Sequence, residues 1–204
     1  MMEKLDFKKF YSKLYNPPRQ PELVDVPEMS FLMMDGTGDP NTSSIFQESL
    51  QILYKIAFTI KFALKKSGGP EYIVPPLEGL WWFDDPGDFH LQNKDKLCWT
   101  SMIMQPEAVT EAVFRQALAE AGKKKVLPAL DKVRMERLQE GLSAQVLHLG
   151  PYSAMISTIE QLHTFIRAKG MFFRGKHHEI YLGDPRRTAP EKLRTVIRQP
   201  VSPS

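Results

Sequence analysis

Apolar residues recur at steps of three and four from Phe46 onward, at Leu50, Leu53, Ala57, Ile60 and Leu64. That is the period of a helix with one buried face. Asp39, Thr42 and Ser43 are candidate N-caps, Lys65 and Lys66 suit the last turn, and Gly68 and Gly69 supply a stop. Met155, Ile159, Leu162 and Ile166 form a second stripe, which Gly170 ends. "PEAVTEAVFRQALAEAGKKK" predicts a third helix, with Pro106 in its first turn and Gly122 at its end. Near the N-terminus, "LDFKKFYSKLY" reads as a short polar helix that the prolines of "NPPRQP" stop.

Between these helices the period changes to that of strands. "VDVPEMSFLMMDGTG" is a strand ending in a glycine turn, "YIVPPLEGLWWFDDPGD" a strand and turn, and "KLCWTSMIMQP" a further strand. "LSAQVLHLGPY", "FFRGKHHEIYLGDP" and "KLRTVIRQPV" repeat the series after the third helix. The order βαββ therefore occurs twice, and "LEGLWWFDDP" echoes "HEIYLGDP" at the same place in each unit. The expected fold is α+β: one antiparallel sheet with both long helices on one face. A single domain over residues 1–204 would hold module one at about 22–105, a linking helix at about 106–122 and module two at about 138–201.

Composition narrows the class. The chain is 42% hydrophobic and 25% charged, the mix of a globular protein. No apolar run is long enough to span a membrane, and "MMEKLDFKKF" lacks the core of a signal peptide, so a cytoplasmic protein is expected. Cys98 is the single cysteine, which excludes an internal disulfide. A net charge of +3, with "GKKK" and "RR" read as solvated surface, argues against direct nucleic-acid binding.

Several motifs fall away on chemical grounds. "GTGDPN" lacks the third glycine of a dinucleotide loop, and Asp39 would repel a pyrophosphate, so it reads as a turn and helix cap. His177, His178 and Glu179 are consecutive in a strand and face alternate ways, HExxH and CxxC are absent, and no metal or other cofactor is expected. "GLSAQ" is not a nucleophile elbow.

The stronger signal is acid beside aromatic. Glu179 and Tyr181 share one side of their strand, and the helices are expected to cover Ile180 and Leu182 on the other. Glu78, Leu80 and Trp82 would look away from the helix in the first half by the same logic. Two readings of Glu179 stand side by side: a solvent-facing strand, or the acid of a ligand pocket. In the second, a carboxylate walled by aromatics loses hydration and takes up a proton or attracts a cation. The neighbouring phenol donates a hydrogen bond to a ligand carbonyl. Trp81, Trp82 and Trp99 are either core or the wall for a flat ligand, with one of Trp81 and Trp82 on each face. Met33, with Met34, Met102 and Met104, is either core filling or an adaptable pocket lining.

The stretches "VDVPEMSFLMMDGTGDPN", "PPLEGLWW", "LHLGPY" and "HEIYLGDP", in that order, resemble the GyrI-like small-molecule-binding domain family, and most of all its stand-alone bacterial branch. The resemblance runs from about Leu5 to Val201. It implies two βαββ (SHS2) modules in pseudo-twofold array with a ligand cleft. In relatives fused to transcription regulators the glutamate of this strand meets cationic aromatic drugs, which implies Glu179 as the central acid. Some stand-alone members are hydrolases that detoxify cyclopropanoid alkylators by opening the cyclopropane ring. For that chemistry Glu179 and Glu78 are candidate bases, Tyr181 or Tyr152 the candidate donor, and Trp82 and Trp99 the holders of the flat ring system. The alternatives are a non-catalytic module that sequesters or senses hydrophobic compounds, or a protein that shields DNA gyrase. With no DNA-binding segment legible, a complete one-component transcription switch is not expected.

Overall fold

The computed structural model describes residues 4–84, 94–124 and 128–203. The turn read in "FDDPGD" lies outside them from residue 85 on. The elements are α1 (Phe7–Phe10), α2 (Ser12–Tyr15), β1 (Glu22–Thr37), α3 (Ser44–Lys66), β2 (Leu77–Trp82), β3 (Cys98–Gln105), α4 (Glu111–Lys124), β4 (Arg134–Leu149), α5 (Met155–Ala168), β5 (Met171–Phe173), β6 (His177–Tyr181) and β7 (Arg194–Pro203). The class is α+β. The order β-α-β-β occurs twice, with α4 between the two and the short β5 inserted before β6. The hydrogen-bonded strand order is β4-β1-β3-β2-β6-β7-β5, and β4 also pairs with β7. Among the described residues no helix is long and apolar enough to cross a membrane.

The chain forms two compact units, each assembled from separated segments. The first comprises Met1–Phe7, Met29–Pro75 and Trp81–Leu138. Here β1 and β3 run antiparallel, with Met34 opposite Ser101 and Gly36 opposite Trp99. Helix α3 covers that side: Ser49 Oγ donates to Ser101 Oγ at 3.2 Å, and the Phe46 ring stands edge-on to Trp99 at 5.0 Å. The helix starts as its sequence predicts, with Ser43 Oγ accepting from the Phe46 N–H at 3.2 Å. It ends in a Schellman turn. Gly68 takes φ +77°, its N–H reaches Lys65 O, and the Gly69 N–H reaches Leu64 O. The buried stripe is broader than the pattern suggested, because Ile52 and Ile56 join Leu53, Ala57, Ile60 and Leu64.

Strand β3 is buried at every position. On the side away from α3, Phe31, Met33, Met102 and Met104 are therefore buried as well, while Asp35 and Thr37 at the end of β1 are exposed. A strand buried on both faces is mostly apolar, and "CWTSMIMQ" departs from that only at Thr100, Ser101 and Gln105. Helix α4 begins later than expected. Pro106 follows the end of β3, and the helix is capped by Thr110, whose hydroxyl accepts from the Val113 N–H at 3.4 Å.

The second unit comprises Lys8–Glu28, Pro76–Leu80 and Gln139–Ser204. Strand β7 sits between β4 and β6, with Val146 opposite Ile197, Gln145 opposite Arg198, Glu179 opposite Ile197 and His178 opposite Arg198. Ala144, Val146, Ile197 and Val201 pack with Met155, Leu162 and Ile166 of α5 into one core. The alternate positions, Gln145, His178, Ile180, Val196 and Arg198, face the other side of the strands and are buried too.

Candidate functional site

Strand register decides which way the acid of β6 looks. Ile197 belongs to the core beneath α5, and Glu179 is its direct partner on β6. Paired residues share a face. Glu179 and Tyr181 therefore lie on the α5 side, and Ile180 lies on the opposite one. This reverses the orientation expected from the apolar alternation of "EIYL". Alternation assigns Ile180 and Leu182 to the helix side because they are apolar, but the core on the far side of β6 also takes an apolar residue.

On the α5 side three side chains converge. Tyr181 OH donates to Glu179 Oε2 at 2.7 Å, and His177 Nε2 donates to Glu179 Oε1 at 3.1 Å. Both carboxylate oxygens thus have a charge-assisted partner. Glu179 is 9% exposed. The Tyr152 ring, in the turn that leads into α5, meets the Tyr181 ring edge-on at 5.6 Å. That turn is held by His148. Its Nε2 donates to the Pro151 carbonyl at 3.2 Å, which leaves Nδ1 to accept from Thr158 Oγ1 at 2.8 Å. The geometry is that of an acid clamped between a phenol and an imidazole under an aromatic edge.

Glu78 belongs to a different set. It is fully buried, its Oε1 accepts from Tyr15 OH at 2.7 Å, and its Oε2 lies 3.0 Å from His178 Nε2. The other ring nitrogen of His178 lies 3.0 Å from Glu140, and Arg198 Nη1 reaches Glu140 Oε2 at 3.0 Å. Arg198 also donates to Gln145 Oε1 at 3.2 Å and to the Leu14 carbonyl at 2.9 Å. Burial alone would lower the His178 pKa, but Glu140 and Glu78 hold it at about 9. Burial alone would raise the Glu140 pKa, but His178 and Arg198 hold it at about 2. Burial and the Glu78 carboxylate push the Tyr15 phenol well above its ordinary value. Two carboxylates, an imidazolium and a guanidinium balance, so the set is neutral and internally satisfied. The echo between "LEGLWWFDDP" and "HEIYLGDP" makes Glu78 a second carboxylate at the matching place of its own unit. The contacts instead place Glu78 with His178, which lies on the opposite side of β6 from Glu179.

The tryptophans and Met33 lie in the first unit. Trp81 faces α3, its ring 5.8 Å from Phe46. Trp82, on the other side of β2, donates from Nε1 to Asp84 Oδ1 at 3.1 Å. Trp99 is completely buried, with Phe46 against its ring, and it is a core residue rather than an exposed wall. Met33 is buried as well, and its sulfur meets Arg134 Nη2 at 3.8 Å. A cavity of about 260 Å³ in this unit is lined by Ser30, Val109, Thr110 and Met135 together with the charged Glu107, Glu136 and Arg137. It has no aromatic wall and shares no residue with the Glu179 set.

Sequence reasoning brought Glu179, Tyr181 and Tyr152 forward and missed His177 as their partner. The signal was present, because His177 is two residues before Glu179 and so shares its face. The buried set around His178 had no local signal, since Tyr15, Glu78, Glu140 and Arg198 are far apart in the chain.

A model of the GyrI-like small molecule binding domain matches residues 19–202. An uncharacterized conserved protein from Listeria innocua is 43% identical, with a TM-score of 0.92 over 98% of this chain and 100% of that one. A hydrolase from Listeria innocua is 43% identical at a TM-score of 0.88, with the same coverage. A further structure named a hydrolase, also from Listeria innocua, is 42% identical at a TM-score of 0.85 over 98% of this chain and all of that one. No match to a protein of curated function is found. With the family model spanning both long helices and the strand that carries Glu179, the chain belongs to the GyrI-like small-molecule-binding domain family.

Proposed function

We propose that the protein binds flat hydrophobic small molecules and hydrolyses reactive ones, with cyclopropanoid alkylators as the model substrate and detoxification as the result. The observation that carries the reading is the clamp on Glu179: a buried carboxylate with Tyr181 OH at 2.7 Å on one oxygen and His177 Nε2 at 3.1 Å on the other. Relatives from Listeria innocua named hydrolases support it.

The clamp suits one sequence of proton movements. Glu179 takes a proton from water as the water oxygen bonds to the strained cyclopropane carbon. The ring C–C bond breaks, and its electron pair moves through the conjugated dienone to the carbonyl oxygen, which becomes a phenol oxygen. Tyr181 gives its proton to that oxygen. The proton on Glu179 then returns to Tyr181 along the hydrogen bond between them, so no net proton is consumed. His177 holds the second carboxylate oxygen and keeps Glu179 oriented. Tyr152, edge-on to Tyr181, offers a face for the flat ring system.

The test is incubation of the purified protein with a cyclopropanoid alkylator, following the ring-opened product by chromatography and mass. Turnover that falls by about a hundredfold or more in Glu179→Gln, with Tyr181→Phe also impaired, is the expected result. Full turnover in Glu179→Gln overturns the assignment. Binding without product in the wild type moves the protein to the sequestering class.

A further inference from the structure

The α5 face of the sheet carries a buried hydroxyl that neither the clamp nor any other group among the described residues uses. Thr195 stands on β7 directly opposite Tyr181 of β6 on one side and His148 of β4 on the other. It is fully buried, and its Oγ1 has no hydrogen-bond partner among the described residues. Its neighbours do not need it. Tyr181 OH is bonded to Glu179, and both nitrogens of His148 are bonded, to Thr158 and to the Pro151 carbonyl. A threonine at this place costs stability relative to valine, which has the same shape and no hydroxyl to desolvate. The strand does not require the hydroxyl, because both residues are good strand formers.

Cross-strand geometry puts Thr195 beside the clamp. Directly opposed residues in an antiparallel pair bring their Cβ atoms within about 5 Å, and diagonal neighbours within about 8 Å. Thr195 is the direct partner of Tyr181 and the diagonal neighbour of Glu179. We infer that Thr195 is a water-positioning residue: its hydroxyl holds the water that Glu179 deprotonates, turning one lone pair of that water toward the substrate carbon. This deepens the reading above and rests on it. In the step, the water gives its proton to Glu179 and its oxygen pair to the carbon. The broken C–C pair ends on the carbonyl oxygen, which takes the Tyr181 proton. Thr195 gains and loses none.

The test compares wild type with Thr195→Val, Thr195→Ser and Glu179→Gln in the same cyclopropanoid assay, with thermal unfolding of each. Thr195→Val is expected to keep or raise the unfolding midpoint. Its kcat should fall about ten- to a hundredfold at unchanged KM, while Thr195→Ser retains turnover. Glu179→Gln inactive and Thr195→Val fully active overturns the role of Thr195 and leaves the reading of Glu179 standing. A lowered unfolding midpoint in Thr195→Val means that the hydroxyl has a structural partner and overturns the inference. A wild type without turnover overturns both.

Discussion

His178 makes the stability of this fold depend on alkaline pH. The ring is fully buried between Glu140 and Glu78, each 3.0 Å from one of its nitrogens. Burial alone would favour loss of its proton, and the two carboxylates reverse that, so that the group titrates at about 9 rather than 6.5. A folded-state pKa above the unfolded one means that folding binds a proton. The stabilisation is complete below pH 6.5, declines as the pH rises and is gone above about 9. A rise from 6.5 to about 9 corresponds to about 3 kcal/mol. Glu140, held at about 2, gives the opposite edge: its contribution is present above its ordinary value of 4.5 and disappears as the pH falls through 2. The two are not summed, because the attraction between His178 and Glu140 is common to both. Tyr15 does not interfere in the alkaline window, since burial and Glu78 keep its phenol protonated there. Urea unfolding of the wild type across pH 6.5 to 9 should show a loss of about 3 kcal/mol. His178→Gln, less stable at the acid end of that range, should show a much flatter profile. Glu78→Gln should fall between them. A wild-type profile as flat as that of His178→Gln would refute the reasoning.

Two further perturbations test packing and capping. Gly36→Ala would place a Cβ 2.2 Å from Trp99 Cζ2, and the ring is held in place by Phe46. A loss of about 1–3 kcal/mol or more is expected in chemical denaturation, and a neutral result would mean that the indole moves freely. Ser43→Ala removes the acceptor for the Phe46 N–H, and a loss of about 1 kcal/mol should appear as a lower thermal midpoint with unchanged ligand binding.

The helices were legible because their signals are local. Ser43, the stripe through Leu53, Ala57 and Ile60, and the Gly68–Gly69 stop each act within a few residues, and each is found in the structure as a cap, a buried face and a Schellman turn. The order of strands was legible for the same reason. The start of α4 was misjudged because Pro106 suits both a first helical turn and the exit from a strand, and Thr110 was the better cap. The candidate site was half legible. Alternation along "HHEIY" says that Glu179 and Tyr181 share a face, and equally that His177 shares it. It does not say which face, because that is fixed by pairing with β7 and by the packing of Ile197 against α5. Trp99 could not be assigned to the core from its neighbours, since the contact that buries it comes from Phe46 on α3.

The composition of the second unit has a consequence for biosynthesis. Tyr15 and Glu78 are made early, Glu140 later, and the cations that neutralise the carboxylates, His178 and Arg198, later still. During translation Glu78 and Glu140 have neither of their cations until residue 178 has been added, and not both until residue 198. The second unit therefore cannot close before β6 and β7 have been made. A chain that stops between Glu140 and His178 retains Tyr15, Glu78 and Glu140 but lacks β6, β7 and both cations. Such a product cannot bury those carboxylates without a large desolvation cost, which leaves it open to proteases.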